Sequence, residues 1–156
     1  MTDISIPDSL PSWIKDHIEL YLIDGEAGHL WDSAAGGGKG LLTTLLLTTV
    51  GRKSGNRLII PLIYQPTGDG DYCIIASKGG APVHPAWYLN LSASNTVELK
   101  VANDGFTAVA RVAEGDERER LWNLMAGYYP PYNAYQAATE RQIPVVVLEP
   151  NYKVLP

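Results

Sequence analysis

The chain has 156 residues, of which 46% are hydrophobic and 19% are charged, and this composition excludes an intrinsically disordered protein. The net charge of -5 argues against a general nucleic-acid binder, because such proteins neutralise phosphates with a basic face. The single Cys73 cannot form an internal disulfide bond and no apolar run is long enough to cross a bilayer, so we expect a cytoplasmic protein with at most peripheral contact at the inner face of the membrane.

The first predicted element is an amphipathic helix over about residues 11–24. Its apolar residues fall on one side at helical spacing, namely Trp13, Ile14, Ile18, Tyr21 and Leu22. Acidic residues on the other side would be repelled by anionic lipid, so docking on the rest of the protein is favoured over membrane contact. Residues 34–40 are rich in glycine and are expected to be mobile. We therefore predict an N-terminal segment, residues 1–40, followed by one domain, residues 41–156.

Two apolar stretches flank a cationic turn at the start of this domain. Residues 41–50 and 58–64 predict the strands of a β-hairpin, and residues 51–56 predict its loop. Pro61 cannot donate a hydrogen bond to a neighbouring strand. The second strand should therefore be bulged or have an open edge at that point.

The middle of the chain predicts further strands and a short helix. Residues 68–71 predict a turn into a third strand, and residues 77–82 predict a loop before a helix that starts at Pro85. A second hairpin is predicted over residues 97–112, with its turn at residues 103–105.

The last part of the chain predicts two helices and a final strand. Asp116 and Glu119 resemble a capping box at the start of the first helix, and Pro130 and Pro131 stop that helix and can start another. Residues 143–148 predict the last strand. Five or six strands without regular β-α-β alternation predict a mainly β (α+β) fold, an antiparallel barrel with peripheral helices.

Patterns typical of common catalytic sites are missing from the sequence. His17, His29 and His84 lack the spacing of metal ligands and have no cysteine pair to help them, so we expect no metal. No Gly-x-Ser-x-Gly or Gly-x-Gly-x-x-Gly pattern occurs, which argues against a serine hydrolase of the usual kind and against a nicotinamide dinucleotide.

Two glycine-containing loops carry a cluster of basic residues. Arg52, Lys53 and Arg57 belong to the first loop, and Lys78 belongs to the second. Glycine lets the backbone approach a ligand closely, while N–H groups, hydroxyls and cations bind phosphate oxygens. The two loops predict a site for a small polyanionic cofactor; a solvated cationic turn is the open alternative.

Several motifs occur in an order that matches a known family. They are residues 48–57, 61–62, 77–82, 84–87, 90–91, 129–135 and 143–144. Over roughly residues 45–150 the chain closely resembles the deazaflavin-dependent nitroreductases and quinone reductases of actinobacteria. The resemblance implies a split β-barrel related to flavin mononucleotide (FMN)-binding barrels, with the reduced deazaflavin coenzyme F-420 as hydride donor to a quinone or nitro-aromatic acceptor.

The resemblance also implies the residues that hold the coenzyme. Its phosphate and oligoglutamate tail would be bound by Arg52, Lys53, Ser54, Gly55, Arg57 and Lys78. Its ring would lie against Pro61, Leu62, Ile63, Ala76, Ser77, Gly79, Gly80 and Ala81. Trp87 and Asn90 match the helix after the glycine loop, and for Trp87 a place in the core is an equally open reading.

The same resemblance assigns catalytic roles on the substrate side to Tyr129, Tyr132 and Tyr135. A tyrosine hydroxyl can orient a nitro or quinone oxygen and help to deliver a proton; packing of the barrel mouth is the alternative. Two other functions stay open, an FMN-binding oxidase or flavin reductase and a non-catalytic carrier of deazaflavin or lipid. The sequence leaves the oligomeric state open.

Overall fold

The computed structural model describes residues 4–151 of the chain. The outermost parts of the two predicted segments, residues 1–3 and 152–156, lie outside the described residues. The described chain forms one curled sheet with helices packed against it. Its strands are β1 Ile4–Ser5, β2 Leu30–Asp32, β3 Leu41–Val50, β4 Arg57–Ile63, β5 Gln65–Pro66, β6 Tyr72–Ile75, β7 Thr96–Val101, β8 Asp104–Val112 and β9 Val145–Pro150.

The helices surround this sheet. They are α1 Ser12–Ile23, α2 Gly25–His29, α3 Ala86–Ala93, α4 Gly115–Tyr128 and α5 Pro131–Ala137, with short 3-10 turns at Ser33–Gly36 and Lys78–Gly80. The predicted N-terminal helix, the helix after Pro85 and the helix break at Pro130 and Pro131 are thus confirmed.

The sheet curls until its ends meet. Its strand order is β1-β4-β3-β7-β8-β9-β6-β5, with β2 also paired to β3, and the neighbours are antiparallel except for β1 and β4. Although β4 and β6 lie near opposite ends of this order, they contact each other. Closure without a complete ladder between them gives the predicted split barrel.

Apolar residues fill the barrel and also cover its outside. Leu45 and Leu47 point into the barrel, whereas Leu46 between them packs under α1. Val146 likewise faces inward, and Val147 faces outward toward α4. Because both faces of these strands are buried, their sequences are continuous apolar runs rather than alternating ones. Each fully buried leucine contributes about 1.5–3 kcal/mol by leaving water.

The first predicted hairpin is confirmed, and its second strand has an open edge. Pro61 stands opposite Leu46 in an uninterrupted register, so there is no bulge at this proline. On the other side of β4, β1 pairs only with Arg57 and Leu58. Among residues 4–151, no strand covers the edge at Pro61.

The turn of the second hairpin was predicted wrongly. Val101 pairs with Asp104, so the turn consists of Ala102 and Asn103 rather than residues 103–105. Ala102 adopts φ +52° there.

The predicted capping box was also wrong. Glu114 is the N-cap residue and no side chain caps the helix, because Asp116 already lies inside the first turn. There its carboxylate still interacts favourably with the helix dipole. The last strand begins at Val145, two residues later than predicted.

Candidate functional site

Two adjoining cavities lie along the open edge of β4. The large cavity has a volume of about 440 Å³ and extends between β4, α3 and the turn at residues 77–80, which we call the glycine turn. The small cavity, of about 220 Å³, extends between α1, β2 and α5. Residues common to both linings are Ile14, Pro61, Leu62, Ile75, Ser77 and Gly79. The cavities are therefore two ends of one cleft.

The loop between β3 and β4 is tied to the large cavity through Asn90. The Asn90 side chain is 2% exposed, lines the cavity and accepts hydrogen bonds from the backbone N–H (3.2 Å) and Nη1 (3.0 Å) of Arg52. Its Nδ2 donates to Oγ1 of Thr49 at 3.3 Å. Arg52, Lys53, Ser54 and Gly55 are exposed in this loop. Asn90 therefore fixes the base of a cationic loop at one end of the cavity.

Arg57, another predicted ligand of the tail, is engaged within the protein. Its guanidinium forms an ion pair with Glu98 on β7, and its Nε donates to Oε2 at 2.8 Å. The pair crosses over β3, which lies between the two strands. The charge of Arg57 is thus partly balanced before any ligand binds.

The glycine turn has a backbone suited to anions. Ser77 is in the right-handed helical region, and Lys78 (φ +46°) and Gly79 (φ +63°) follow in the left-handed region. Successive N–H groups in such a sequence of conformations form an anion-binding concavity. In the described part of the chain, the N–H groups of Ser77, Lys78 and Gly79 donate to no protein acceptor.

The other predicted coenzyme residues divide into two groups. Pro61, Leu62, Ser77, Lys78, Gly79, Trp87 and Asn90 line the large cavity, and Ile63 lines the small one. Trp87 is also a member of the barrel core, which confirms the core reading, and its contact with the coenzyme stays a prediction. Gly80, the last residue of the glycine turn, and the flanking Ala76 and Ala81 line neither cavity.

Three tyrosines form one wall of the small cavity. The ring centroids of Tyr129 and Tyr132 are 5.0 Å apart, and Tyr135 lies 6.3 and 6.2 Å from them. The hydroxyl of Tyr129 donates to the carbonyl oxygen of Gly36 at 2.8 Å and lies 3.2 Å from that of Tyr135. For the hydroxyl of Tyr132, the described residues offer no hydrogen bond.

Burial makes two of these phenols harder to ionise. It is the largest cause that raises the pKa of Tyr129, followed by the hydrogen bond with Tyr135. It also raises the pKa of Tyr132, with the neighbouring Tyr129 as the next cause. At neutral pH both side chains are hydrogen-bond donors rather than bases.

A pair of tryptophans forms another side of the small cavity. Trp13 of α1 stacks on Trp31 of β2 with centroids 6.0 Å apart and planes inclined by 17°. Trp31 in turn lies 6.4 Å from Tyr129. We did not predict Trp31 as a site residue, because β2 carries no recognisable strand pattern. The cavity is aromatic on two sides and suits a flat apolar molecule.

Arg141 is a second residue that we did not predict. Its guanidinium binds backbone carbonyl groups of the glycine turn and of the residues that flank it. Nothing in the local sequence marks it, because these partners lie 60–65 positions away.

The fold is that of a split-barrel protein, and its two cavities form one cleft along the open edge of β4. The family model described as F420-H2-dependent quinone reductase matches residues 24–150. An F420-H2-dependent quinone reductase of Mycobacterium tuberculosis is 34% identical over 149 residues, covering 87% of this chain and 95% of that protein. This chain belongs to the F420-H2-dependent quinone reductase family, which confirms the resemblance found in the sequence.

Two solved structures agree with this result. One, an F420-H2 dependent reductase, has 42% sequence identity and a TM-score of 0.62 and covers 68% of this chain and 93% of its own. The other, described as a domain-swapped dimer, has 37% identity and a TM-score of 0.65 over 88% of this chain and 98% of its own. None of the helices among residues 4–151 is long and apolar enough to cross a membrane.

Proposed function

We propose that this protein binds the reduced deazaflavin coenzyme in the large cavity and reduces a quinone in the small cavity. The observation that carries the proposal is the wall common to both cavities, formed by Pro61, Leu62, Ser77 and Gly79. A flat ring on this wall would contact a second flat molecule at the other end of the cleft. When bound, the reduced coenzyme supplies a hydride, that is, two electrons and one proton.

The residues of the large cavity fit such a coenzyme. Lys78 is an exposed cation that lines it, and Asn90 ties to it the loop in which Arg52 and Lys53 are exposed. The glycine turn adds unpaired N–H donors. Charge-assisted hydrogen bonds contribute about 1.5–3 kcal/mol each, so a few of them suffice to hold a polyanionic tail without a covalent link.

The residues of the small cavity would orient the acceptor and exclude water. Trp13 and Trp31 line this cavity with aromatic surface, and Tyr132, a neutral phenol, also lines it. We propose that Tyr132 donates a hydrogen bond to the acceptor oxygen and relays the proton that accompanies the hydride. Tyr129 and Tyr135, whose hydroxyls already pair, would hold Tyr132 in place and contact the acceptor ring.

We extend the proposal to nitro-aromatic acceptors. These molecules share with quinones a flat ring and an oxygen at its edge, which is what the aromatic walls and the Tyr132 hydroxyl can recognise. A cytoplasmic location, with peripheral contact at the inner face of the membrane, would suit an enzyme whose acceptor is a lipid-soluble quinone.

A stepwise titration tests the proposal. The purified protein is titrated with the reduced coenzyme, then menadione and a nitroimidazole are added in separate samples, and absorbance of the oxidised coenzyme is followed. We expect saturable binding and oxidation that requires both protein and acceptor. Tight binding without oxidation by either acceptor would indicate a carrier, and a flavin spectrum in the protein as purified would indicate an FMN enzyme.

A further inference from the structure

We propose that Arg141 positions the glycine turn for coenzyme binding, by holding the carbonyl groups of the turn so that its N–H groups face the large cavity. The inference rests on the function proposed above. Arg141 lies between α5 and β9, behind the turn, and lines neither cavity.

The guanidinium of Arg141 spans the whole turn. Nη2 donates to the carbonyl oxygen of Ser77 at 2.7 Å, and Nη1 donates to that of Ala76 at 3.2 Å. Nε donates to the carbonyl oxygen of Ala81 at 2.7 Å, and Nη1 lies 3.1 Å from Nδ1 of His84. One side chain thus fixes both ends of the segment, as only the planar fork of an arginine can do.

Because each peptide unit is planar, a hydrogen bond to its C=O group also fixes the direction of its N–H group. The carbonyl of Ala76 shares its peptide with the N–H of Ser77, and the carbonyl of Ser77 shares its peptide with the N–H of Lys78. The C=O and N–H groups of a trans peptide point in opposite directions, and there is no cis peptide among the described residues. Bonds to Arg141 therefore direct both N–H groups away from it, to the side on which Ser77 and Lys78 line the large cavity.

The conformation of the turn needs such support. Lys78 has φ +46°, a left-handed conformation that is unfavourable for a residue with a Cβ. Such a conformation persists only where the surroundings hold it. The bonds that Arg141 makes on both sides of Lys78 are a physical means of holding it.

Arg141 is itself anchored to the tyrosine helix. The side chain of Gln136, in α5, donates from Nε2 to the carbonyl oxygen of Arg141 at 2.8 Å and accepts from the N–H of Ile143 at 2.9 Å. The position of the guanidinium is thus set by the same helix that carries Tyr132 and Tyr135.

The test compares two arginines that bind loop carbonyls. Arg141→Met removes the fork but keeps an aliphatic side chain. Arg120→Met is the matched control, because Arg120 donates to the carbonyl oxygen of Thr67 at 3.1 Å and lines neither cavity. The Kd of the oxidised coenzyme is measured by fluorescence at a temperature where near-UV circular dichroism shows both variants folded. We expect at least a tenfold higher Kd for Arg141→Met and less than a twofold change for Arg120→Met.

Two further readouts separate positioning from general stabilisation. In Arg141→Met the KM for the reduced coenzyme should rise more than kcat falls, and coenzyme addition should no longer shift the NMR signals of the Ser77, Lys78 and Gly79 amides. If Arg141→Met does not fold, the same quantities are measured for Arg141→Lys. An ammonium group cannot bind three diverging carbonyl groups at once, so the same rise in Kd is expected.

Three outcomes would overturn the inference. A folded Arg141 variant with the Kd of the wild type would do so, as would an equal rise in Kd for Arg120→Met. Absence of coenzyme binding by the wild type would overturn the proposed function together with the inference, whereas the first two outcomes leave the proposed function intact.

Discussion

Gly80 lies so close to the backbone of Tyr135 that no side chain would fit between them. A Cβ at Gly80 would be 2.7 Å from the carbonyl oxygen of Tyr135 and 2.9 Å from its Cα. This contact joins the glycine turn, which lines the large cavity, to α5, which carries Tyr132 and Tyr135 of the small cavity.

The first prediction compares Gly80→Ala with Gly79→Ala. Both glycines have positive φ, at +84° and +63°, but a Cβ at Gly79 meets nothing within 4 Å. We expect Gly79→Ala to lower the free energy of unfolding by about 1–2 kcal/mol through backbone strain alone. Gly80→Ala should cost at least about 1 kcal/mol more, because α5 has to move. Urea unfolding measures both changes. Equal losses of stability would contradict the expectation that a side chain at Gly80 displaces α5.

The second prediction concerns the hydroxyl of Tyr132. Tyr132→Phe should slow quinone reduction about a hundredfold, the cost of losing one well-placed hydrogen-bond donor, with the Kd of the coenzyme unchanged. Tyr128→Phe is the control, because the hydroxyl of Tyr128 accepts from the N–H of Thr43 and lies outside the small cavity. Its turnover number should stay at the wild-type value.

The pH dependence of the reaction offers a check on this role. Since burial raises the pKa of Tyr132, its hydroxyl stays protonated up to at least about pH 10, the range of a free tyrosine. Stopped-flow rates should show no fall from tyrosine ionisation below that pH. A rate that falls with an apparent pKa near 8 and loses this fall in Tyr132→Phe would argue against the assignment.

The third prediction separates two cations near the large cavity. Lys53 forms no ion pair with the described residues, whereas Arg57 is paired with Glu98. Lys53→Ala should therefore weaken coenzyme binding more than Arg57→Ala and should reduce the dependence of Kd on salt. Glu98→Gln should lower the Kd of the coenzyme, because the positive charge of Arg57 is then no longer balanced by a carboxylate and attracts the anionic ligand more strongly. Isothermal titration at two ionic strengths measures all three, and weaker binding by Glu98→Gln would show that Arg57 serves only the barrel.

The fourth prediction concerns His84, whose Nδ1 faces the guanidinium of Arg141. Burial, followed by the charge of Arg141, lowers the pKa of His84 from its ordinary value of 6.5. The native protein thus takes up this proton less readily than the unfolded chain. The contribution of neutral His84 to the free energy of unfolding is therefore fully present above about pH 6.5. It is lost as the pH falls through the pKa of His84 in the unfolded chain and then through its lower pKa in the folded protein.

The variant His84→Asn isolates this effect. Asparagine keeps an acceptor for Arg141 but does not titrate, so the loss of stability between about pH 7 and pH 5 should be smaller than in the wild type. Urea midpoints measured across this range give the comparison. The pKa of His29 is also lowered by burial, but His29 is present in both proteins and cancels. Parallel profiles would mean that His84 does not contribute.

Local patterns were sufficient to predict the parts of the fold that depend on neighbours in sequence. The hairpin of β3 and β4 follows from two apolar strands around a turn, and the open edge follows from the missing N–H of Pro61. The break between α4 and α5 follows from Pro130 and Pro131.

The parts that were not predicted depend on distant partners. β2 is only three residues long and exists because it pairs with β3. Trp13 of α1 stacks on Trp31 of β2, but nothing in the sequence of either element indicates that the two lie next to each other. Arg141 could not be identified from the sequence, because the carbonyl groups that it binds, those of Ala76 and Ser77, come close to it only in the folded barrel.

Pro61 has a consequence for association between molecules. An exposed strand edge with free N–H groups invites another chain to add a strand and begin an aggregate. Pro61, which lines the cleft, has no N–H group to donate to an added strand, and a proline ring hinders the close approach of another backbone. The cleft beside β4 can therefore stay open without serving as a template for intermolecular sheet growth.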